Sequence, residues 1–129
     1  MASQSSTERE LLLGIIDQLL FSCRLIIAWN KNIQTSNEFL YSDDNLQILA
    51  ADCMMLETIG ELVKRICKIN NKIIFEFEPN IPWKQIMKLR DRIAHGYFEL
   101  DTEIIFNIIQ KDILPLQEAL QRLKAKIEN

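Results

Sequence analysis

Chain breakers are scarce in this sequence: its 129 residues include only three glycines and three prolines. Glycine and proline punctuate turns, and an all-β fold of this length would need many more of them. The chain therefore has room for long helices. With 48% hydrophobic residues it can also bury a core of its own. We expect one domain over residues 1–129, in which residues 1–6 form a flexible N-terminus.

The spacing of apolar residues predicts two long helices in the first half of the chain. The first begins near Thr7, where the stretch from Thr7 to Glu10 fits a capping box. It is apolar over most of its circumference, as expected for a helix that is central in a bundle or shared with a partner subunit. The second helix follows the N-capping residues 42–44 and runs to about Asn70. Its predicted buried seam is Leu46, Leu49, Cys53, Leu56, Gly60, Val63 and Cys67.

Two further helices are predicted in the second half of the chain. Residues 75–80 are interpreted as a linker, and Pro82 suits the first turn of a third helix that reaches His95. Asp101 caps the last helix, which Pro115 should kink. The sequence thus predicts an all-α, four- to five-helix up-and-down bundle. Gly60, on the seam of the second helix, either lets a neighbouring backbone come close or has no special role.

The apolar stretch from Leu11 to Trp29 raises the question of a membrane span. Asp17, Gln18 and Arg24 interrupt it, and no unbroken apolar run approaches the roughly 20 residues that cross a bilayer. The acidic residues before it and the lack of a small-residue cleavage site argue against a signal peptide. We therefore expect a buried helix of a cytoplasmic protein that has no membrane partner.

The cysteines point to the same compartment. They are odd in number and form no C-x-x-C pair, so buried reduced thiols are expected rather than disulfides. The same pattern predicts no metal site, and we expect no cofactor. The three thiols are those of Cys23, Cys53 and Cys67.

Charge is distributed unevenly along the chain. The formal net charge of −3 is mildly unfavourable for a nucleic-acid partner, because phosphate binding rests on a positive field. A local basic patch on an acidic protein can still hold RNA, although exposed lysines are more often a solvated face. The basic residues form two clusters, one of Lys64, Arg65, Lys68 and Lys72 and one of Lys84, Lys88, Arg90 and Arg92.

The predicted third helix carries a candidate acid–base unit. On a regular helix Lys84, Lys88, Asp91 and His95 would stand on one stripe. The spacing from Asp91 to His95 lets the carboxylate accept an imidazole N–H, which would fix the tautomer and leave the other ring nitrogen for chemistry. A histidine placed in this way can act as a general acid or base. The plainer interpretation is that His95 only caps the helix.

Arg90 is predicted to lie on another face of the same helix, near Trp83 on the side toward the core. A guanidinium there needs an anionic partner. Glu61 of the second helix could form a buried ion pair with it, or a bound phosphate could accept two of its N–H groups. Arg90 and His95 are five residues apart, roughly 140° around a regular helix. A shared substrate would therefore require the helix to end at His95, or a site built from two subunits.

Arg90, His95 and Tyr97 together resemble the R-x4-H-x-Y signature of the HEPN superfamily. Within that superfamily the sequence is similar to the HepT-like toxins encoded beside minimal nucleotidyltransferases. The polar residue after the arginine, Asp91, is also common there. The likeness covers nearly the whole helical order, from about residue 8 to residue 125.

Three further positions bear on the resemblance. The Gly60-Glu61 step on the second helix and Pro82-Trp83 at the start of the signature helix both fit it. Phe106 departs from it, since a tryptophan is expected at that position. This departure affects packing more than chemistry.

The resemblance implies a metal-independent endoribonuclease that works as a homodimer, with paired arginine and histidine motifs facing a shared cleft. His95 would assist the attack of an RNA 2′-hydroxyl on the adjacent phosphate, Arg90 would stabilise the developing charge, and Asp91 would hold His95. The substrate would be an RNA such as tRNA or mRNA. The basic residues of the same segment, Lys84, Lys88 and Arg92, are expected to bind it.

The resemblance also implies an off-switch. Tyr97, just past Gly96, would be adenylylated by a cognate minimal nucleotidyltransferase that acts as the antitoxin. The added phosphodiester would place negative charge where RNA phosphate must enter. Two other interpretations are kept: a HEPN domain without nuclease activity that serves as a binding subunit or as a target for modification, and a plain helical interaction protein.

Overall fold

A computed structural model describes residues 6–93 and 100–129, and these residues form an all-α bundle. Four helices are longer and three short ones lie between the second and third of them. The elements in chain order are α1 (Ser6–Trp29), a 3₁₀ helix (Ser36–Leu40), α2 (Asp43–Asn70), α3 (Lys72–Phe77), α4 (Trp83–Ile86), α5 (Leu89–Ile93), α6 (Thr102–Lys111) and α7 (Ile113–Glu128). The predicted fold class is confirmed.

Helix α1 lies at the centre of the bundle, where it packs against both α2 and α7. Among the described residues it alone is long and apolar enough to cross a membrane, a test that the core helix of a globular protein also passes. Its apolar side forms the middle of the core, as burying aliphatic side chains against two neighbours requires. The fully buried residues on it are Leu12, Ile16, Leu19, Cys23 and Ile26.

The start of α1 is tied to the end of α7 by Arg9. Its Nε donates to the carbonyl of Ile127 at 2.9 Å, and its Nη2 donates to that of Glu128 at 2.8 Å. Carbonyls in the last turn of a helix have no partner within the helix, so the guanidinium satisfies them. Thr7 already lies inside α1, which includes Ser6. The predicted start of the first helix near Thr7 is therefore confirmed, but Thr7 is a helical residue and not the N-cap of a capping box.

Helix α2 begins and ends as predicted, but its buried surface is wider than one seam. The Ser42 side chain caps it by accepting the N–H of Asn45 at 3.1 Å. Leu46 is 42% exposed, and Cys53 and Cys67 of the predicted seam are only half-buried. Because α2 packs on α1 as well as on α4 and α5, positions outside the seam are buried too. They are Asp52, Ile59, Leu62 and Ile66.

Two predictions for the second half of the chain are wrong in detail. Part of the predicted linker is helical, since α3 covers Lys72–Phe77 and buries Ile73 and Ile74. Pro115 does more than kink the last helix. Proline has no N–H to donate to the carbonyl of residue 111, and the chain is divided into α6 and α7 at Asp112. The predicted cap at Asp101 is confirmed, because its side chain accepts the N–H of Ile104 at 3.0 Å.

The predicted third helix is also divided. A turn at Met87 and Lys88 separates α4 from α5, so that residues 82–93 are not one regular helix. The Lys88 N–H donates to the carbonyl of Gln85, three residues back, rather than to the residue four back. The stripe from Lys84 to Asp91 that a continuous helix would create is therefore broken between α4 and α5.

One polar pair is buried where α1 ends against α2. Nδ2 of Asn30 donates to Oδ1 of Asp52 at 2.7 Å and to the carbonyl of Ile26 at 2.8 Å. Asp52 is fully buried, and burial raises the pKa of its carboxyl to about 7 although the hydrogen bond from Asn30 opposes the rise. In the described structure the second oxygen of Asp52 and the amide oxygen of Asn30 accept no hydrogen bond.

Candidate active site

Gly60 determines how closely the signature segment approaches α2. A Cβ atom at this position would lie 2.9 Å from the carbonyl oxygen of Ile86 and 3.6 Å from that of Met87. Both carbonyls belong to the break between α4 and α5. The glycine thus lets backbone pack directly on α2, as one of the two interpretations of Gly60 predicted. This contact holds α5 beside the middle of α2.

Arg90 lies at the edge of a groove between α5 and α2. The groove has a volume of about 330 Å³. The α2 residues in it recur at helical spacing, so they form one face of that helix. At the middle of this face the hydroxyl of Thr58 donates to the carbonyl of Met54 at 2.9 Å. The groove is lined by Met54, Glu57, Thr58, Glu61, Leu62, Arg65 and Arg90.

The guanidinium of Arg90 is exposed, so the prediction that Arg90 faces the core is wrong. The break before α5 changes the helical phase, and Leu89 and Ile93 take the buried positions instead. The predicted ion pair with Glu61 is also not formed. The carboxylate of Glu61 accepts from Nζ of Lys64 at 3.1 Å. Arg90 makes no side-chain hydrogen bond or ion pair within residues 6–93 and 100–129, which leaves its N–H groups free for an external anion.

The other predicted site residues fall into two groups. Lys84 on α4, Lys88 in the turn and Asp91 on α5 are exposed, and Arg92 is half-buried. His95 and Tyr97 lie outside the described residues, so the predicted pairing of Asp91 with the imidazole stays a prediction. The amide of Asp101 donates to the carbonyl of Ile93 at 3.1 Å and joins the end of α5 to the start of α6.

A second groove adjoins the first. It has a volume of about 400 Å³, lies between α1 and α2, and shares Thr58 and Leu62 with the arginine groove. Its wall is largely apolar. Phe21 on the α1 side is 53% exposed, and Met54, on the rim of the arginine groove, is 62% exposed. We call this surface of Phe21, Met54 and Met55 the α1–α2 apolar face.

The cysteines do not supply a nucleophile. All three are free thiols, as predicted, but only Cys23 is buried; the prediction of burial is wrong for Cys53 and Cys67, which are half-buried. Burial raises the pKa of Cys23 to about 12 and that of Cys53 to about 11, with the carboxylates of Asp52 and Glu57 adding to the rise at Cys53. Burial also raises the pKa of Cys67. These thiols stay protonated near neutral pH and are unreactive.

The fold and the groove define an all-α domain of the HEPN type, in which the signature arginine is presented beside the second long helix. The chain belongs to the HepT-like ribonucleases: the model of the family described as "Ribonuclease HepT-like" matches residues 19–123. The predicted family and the predicted class of enzyme, an endoribonuclease, are thereby confirmed. RNA is accordingly the substrate.

Individual relatives are about one-third identical to this chain over the aligned residues. A protein of Methanocaldococcus jannaschii named "Putative RNase MJ1380" is 32% identical over 103 residues, which cover 80% of this chain and 87% of that protein. "Putative RNase TTE0752" of Caldanaerobacter subterraneus subsp. tengcongensis is 32% identical over 111 residues, 86% of this chain and 92% of its own length. "Probable ribonuclease HepT" of Thermococcus cleftensis is 30% identical over 69 residues, 54% and 59% of the two chains. No solved structure matches the chain significantly.

Sequence reasoning missed two features of this region. Glu57 and Thr58 line the groove with Arg90, but neither stands in a motif, and only the packing of α5 on α2 brings them there. Arg65 was assigned to a basic cluster without a role. The signal that could have indicated the groove is the α2 spacing 54, 57, 58, 61, 65 around Gly60.

Proposed function

We propose that the chain is the toxin of a toxin–antitoxin pair, a metal-independent endoribonuclease that a cognate nucleotidyltransferase silences by adenylylating Tyr97. The observation that carries the proposal is the exposed guanidinium of Arg90, which has no ion pair among the described residues and lies in a groove on α2, in a chain of the HepT-like family. An RNA-cleaving toxin with reduced thiols acts in the cytoplasm, where its RNA substrates are.

The proposed reaction uses the RNA's own 2′-hydroxyl as nucleophile. His95 accepts the proton of this hydroxyl, the 2′-oxygen forms a bond to the adjacent phosphorus, and the bond to the 5′-oxygen of the next nucleotide breaks. The departing 5′-oxygen gains a proton, so the products end in a 2′,3′-cyclic phosphate and a 5′-hydroxyl. Arg90 donates two N–H groups to the phosphate, whose charge grows in the transition state, and Asp91 orients His95.

The charge balance of the groove supports a phosphate at Arg90. Lys64 forms an ion pair with Glu61 at 3.1 Å, which leaves Arg65 and Arg90 against one carboxylate in the groove, that of Glu57, for which residues 6–93 and 100–129 supply no ion pair. This local excess of positive charge stands out in a chain of net charge −3. A guanidinium held in place and not consumed by an internal ion pair is suited to bidentate phosphate binding.

We further propose that two copies form the working enzyme. The α1–α2 apolar face adjoins the arginine groove, and its exposed Phe21 and Met54 are side chains of a kind that protein interfaces bury. A second copy on this face would bring its own arginine groove next to the first one. In this shared cleft, Arg90 of one copy and His95 of the other would act on the same phosphate.

The ribonuclease proposal is tested by growth and by RNA ends. Wild type, Arg90→Ala and His95→Ala are expressed in bacteria, with Arg122→Ala as the control because Arg122 is an exposed arginine on α7. We expect wild type and the control to arrest growth and to create RNA fragments with 5′-hydroxyl ends, and both site variants to do neither. Equal growth and identical RNA ends in all four strains would contradict the proposal.

Purified protein tests the metal independence. Cleavage of total tRNA is measured with and without EDTA, and the 3′ ends are analysed for the cyclic phosphate. We expect the rate to be the same under both conditions, because the proposed mechanism needs only the histidine and the arginine. Loss of cleavage in EDTA would reject a metal-independent reaction.

The off-switch is tested by intact mass. The chain is co-expressed with a neighbouring nucleotidyltransferase, and the variants Tyr97→Phe and Tyr41→Phe are compared. Tyr41 is the control because it is the other tyrosine of the chain and is 71% exposed. We expect AMP-sized additions to wild type and Tyr41→Phe but not to Tyr97→Phe. Equal additions to all three would exclude Tyr97 as the target.

A further inference from the structure

The C-terminal half of α2 carries a row of cations that leads away from the arginine groove. Arg65 lines the groove, Lys68 follows on the same stripe of α2, and Lys72 is the first residue of α3. Asn71 between the two helices keeps helical angles (φ −68°, ψ −24°), so the stripe continues across the junction. All three side chains are exposed.

These three cations form no ion pair among the described residues, whereas other lysines of the chain do. Within the described residues Arg65, Lys68 and Lys72 make no side-chain hydrogen bond or ion pair. By contrast Lys64 pairs with Glu61 at 3.1 Å and Lys124 with Asp17 at 2.8 Å. Three positive charges side by side repel one another, which is unfavourable in the free protein. The chain has more acidic than basic residues, so carboxylates to pair with these cations are not scarce. A row of this kind matches a polyanion with regularly spaced charges.

We propose that Arg65, Lys68 and Lys72 form the track along which the single-stranded RNA lies beside the cut. Arg65 binds the phosphate next to the one at Arg90, and the two lysines bind the following phosphates. The inference rests on the proposed role of Arg90 in cleavage, because the track is oriented by that groove. It assigns the RNA path to α2, whereas the sequence suggested Lys84, Lys88 and Arg92, which lie on α4, in the turn after it and on α5.

The direction of the track agrees with the grooves around it. Toward the N-terminal end of α2 the surface becomes apolar at Met54, and the carboxylate of Glu57 lies between Met54 and Arg65. Both features disfavour a phosphate there. The strand therefore leaves the arginine groove toward the C-terminal end of α2, where the exposed cations Arg65, Lys68 and Lys72 bind its phosphates. Long, exposed cations bind phosphates without fixing a base sequence.

The test measures binding without cleavage. The probe is a single-stranded oligonucleotide of mixed sequence with 2′-O-methyl riboses, which lacks the attacking hydroxyl. Its affinity for wild type, Arg65→Gln and Lys68→Gln is measured over a series of salt concentrations. Lys31→Gln is the matched control, since Lys31 is an exposed lysine that lines a different pocket at the C-terminal end of α1. Circular dichroism verifies that every variant is folded.

We expect Arg65→Gln and Lys68→Gln each to lower the slope of log affinity against log salt by about 0.7, the value for one lost phosphate contact on a single strand. In cleavage assays on unmodified RNA they should raise KM by roughly two- to tenfold, the worth of one exposed charge-assisted contact, with a smaller change in kcat. Lys31→Gln should leave both quantities as in wild type.

Two outcomes separate this inference from the proposal on which it rests. If wild type cleaves RNA in an Arg90-dependent way while Arg65→Gln and Lys68→Gln behave like Lys31→Gln, the track is overturned and the ribonuclease site stands. If Arg90→Ala cleaves as well as wild type while the salt slope falls in both track variants, the site proposal fails and the RNA-binding row stands.

Discussion

A Cβ atom at Gly60 would lie 2.9 Å from the carbonyl oxygen of Ile86, so the backbone of the signature segment rests directly on α2. This contact is what places Arg90 at the rim of a groove rather than in the core. A local backbone contact thus determines where the proposed phosphate-binding guanidinium is found.

Gly60→Ala is expected to destabilise the fold by about 1–3 kcal/mol, since backbone cannot move aside as a flexible side chain does. Gly14→Ala is the control: it is also a helical glycine, but nothing lies within 4 Å of its added Cβ. That variant should gain about 0.5–1 kcal/mol through helix propensity. Urea unfolding measures both free energies. A gain in stability at both positions would contradict the close contact at Gly60.

The raised pKa of Asp52 makes the stability of the fold depend on pH. Its carboxyl has a pKa of about 7 in the fold against 3.8 as the ordinary value, so the native state binds the proton more tightly than the unfolded chain does. The contribution of Asp52 to the free energy of unfolding is present in full below about pH 4. It is lost as pH rises toward and through 7, by up to about 4 kcal/mol. We expect the free energy of unfolding to fall between pH 5 and pH 8.

The matched variant for this prediction is Asp52→Asn. An amide cannot ionise, and it can accept from Nδ2 of Asn30 while donating toward the Asn30 oxygen that lacks a partner in the described structure. The variant should therefore lose most of the pH dependence and exceed wild type in stability at pH 8. The same slope in both proteins would show that other groups cause the effect.

Arg90→Lys should lower kcat by about 10- to 100-fold, although the charge is kept. A lysine ammonium is a point charge and cannot reproduce the two parallel N–H groups that a guanidinium directs at a phosphate. Arg122→Lys is the control, because Arg122 makes a comparable bidentate contact with Glu78 elsewhere on the surface. Single-turnover cleavage of tRNA gives the rates. Full activity of Arg90→Lys would indicate that Arg90 supplies only long-range charge.

Phe21→Glu should separate the proposed dimer into monomers and reduce RNA cleavage with it. A charge buried in an apolar interface without a partner is strongly unfavourable. Leu114→Glu is the control, since Leu114 is similarly exposed, at 52%, beside a different pocket. Light scattering coupled to size exclusion reports the mass. A monomeric wild-type protein, or a dimer that Phe21→Glu leaves intact, would reject the α1–α2 apolar face as the interface.

Helix starts that depend on the chemistry of a few neighbouring residues were predictable from the sequence. Ser42 and Asp101 cap α2 and α6 because a short polar side chain before an apolar periodic run satisfies free backbone N–H groups wherever it occurs. The HepT-like family also came from the sequence, since a spaced motif does not depend on packing, whereas the role of Arg90 as a site residue stays a prediction. The pairing of Asp91 with His95 and the role of Tyr97 stay predictions.

What the sequence by itself determined is the all-α class, the two longest helices and the residues of the signature. Only the tertiary structure decided which way those residues face. Periodicity assumes one regular helix from Pro82, but a turn at Met87 and Lys88 divides it, and a shift in helical phase of a single residue turns a side chain by about 100°. That rotation moved Arg90 from the predicted core into the groove beside Arg65.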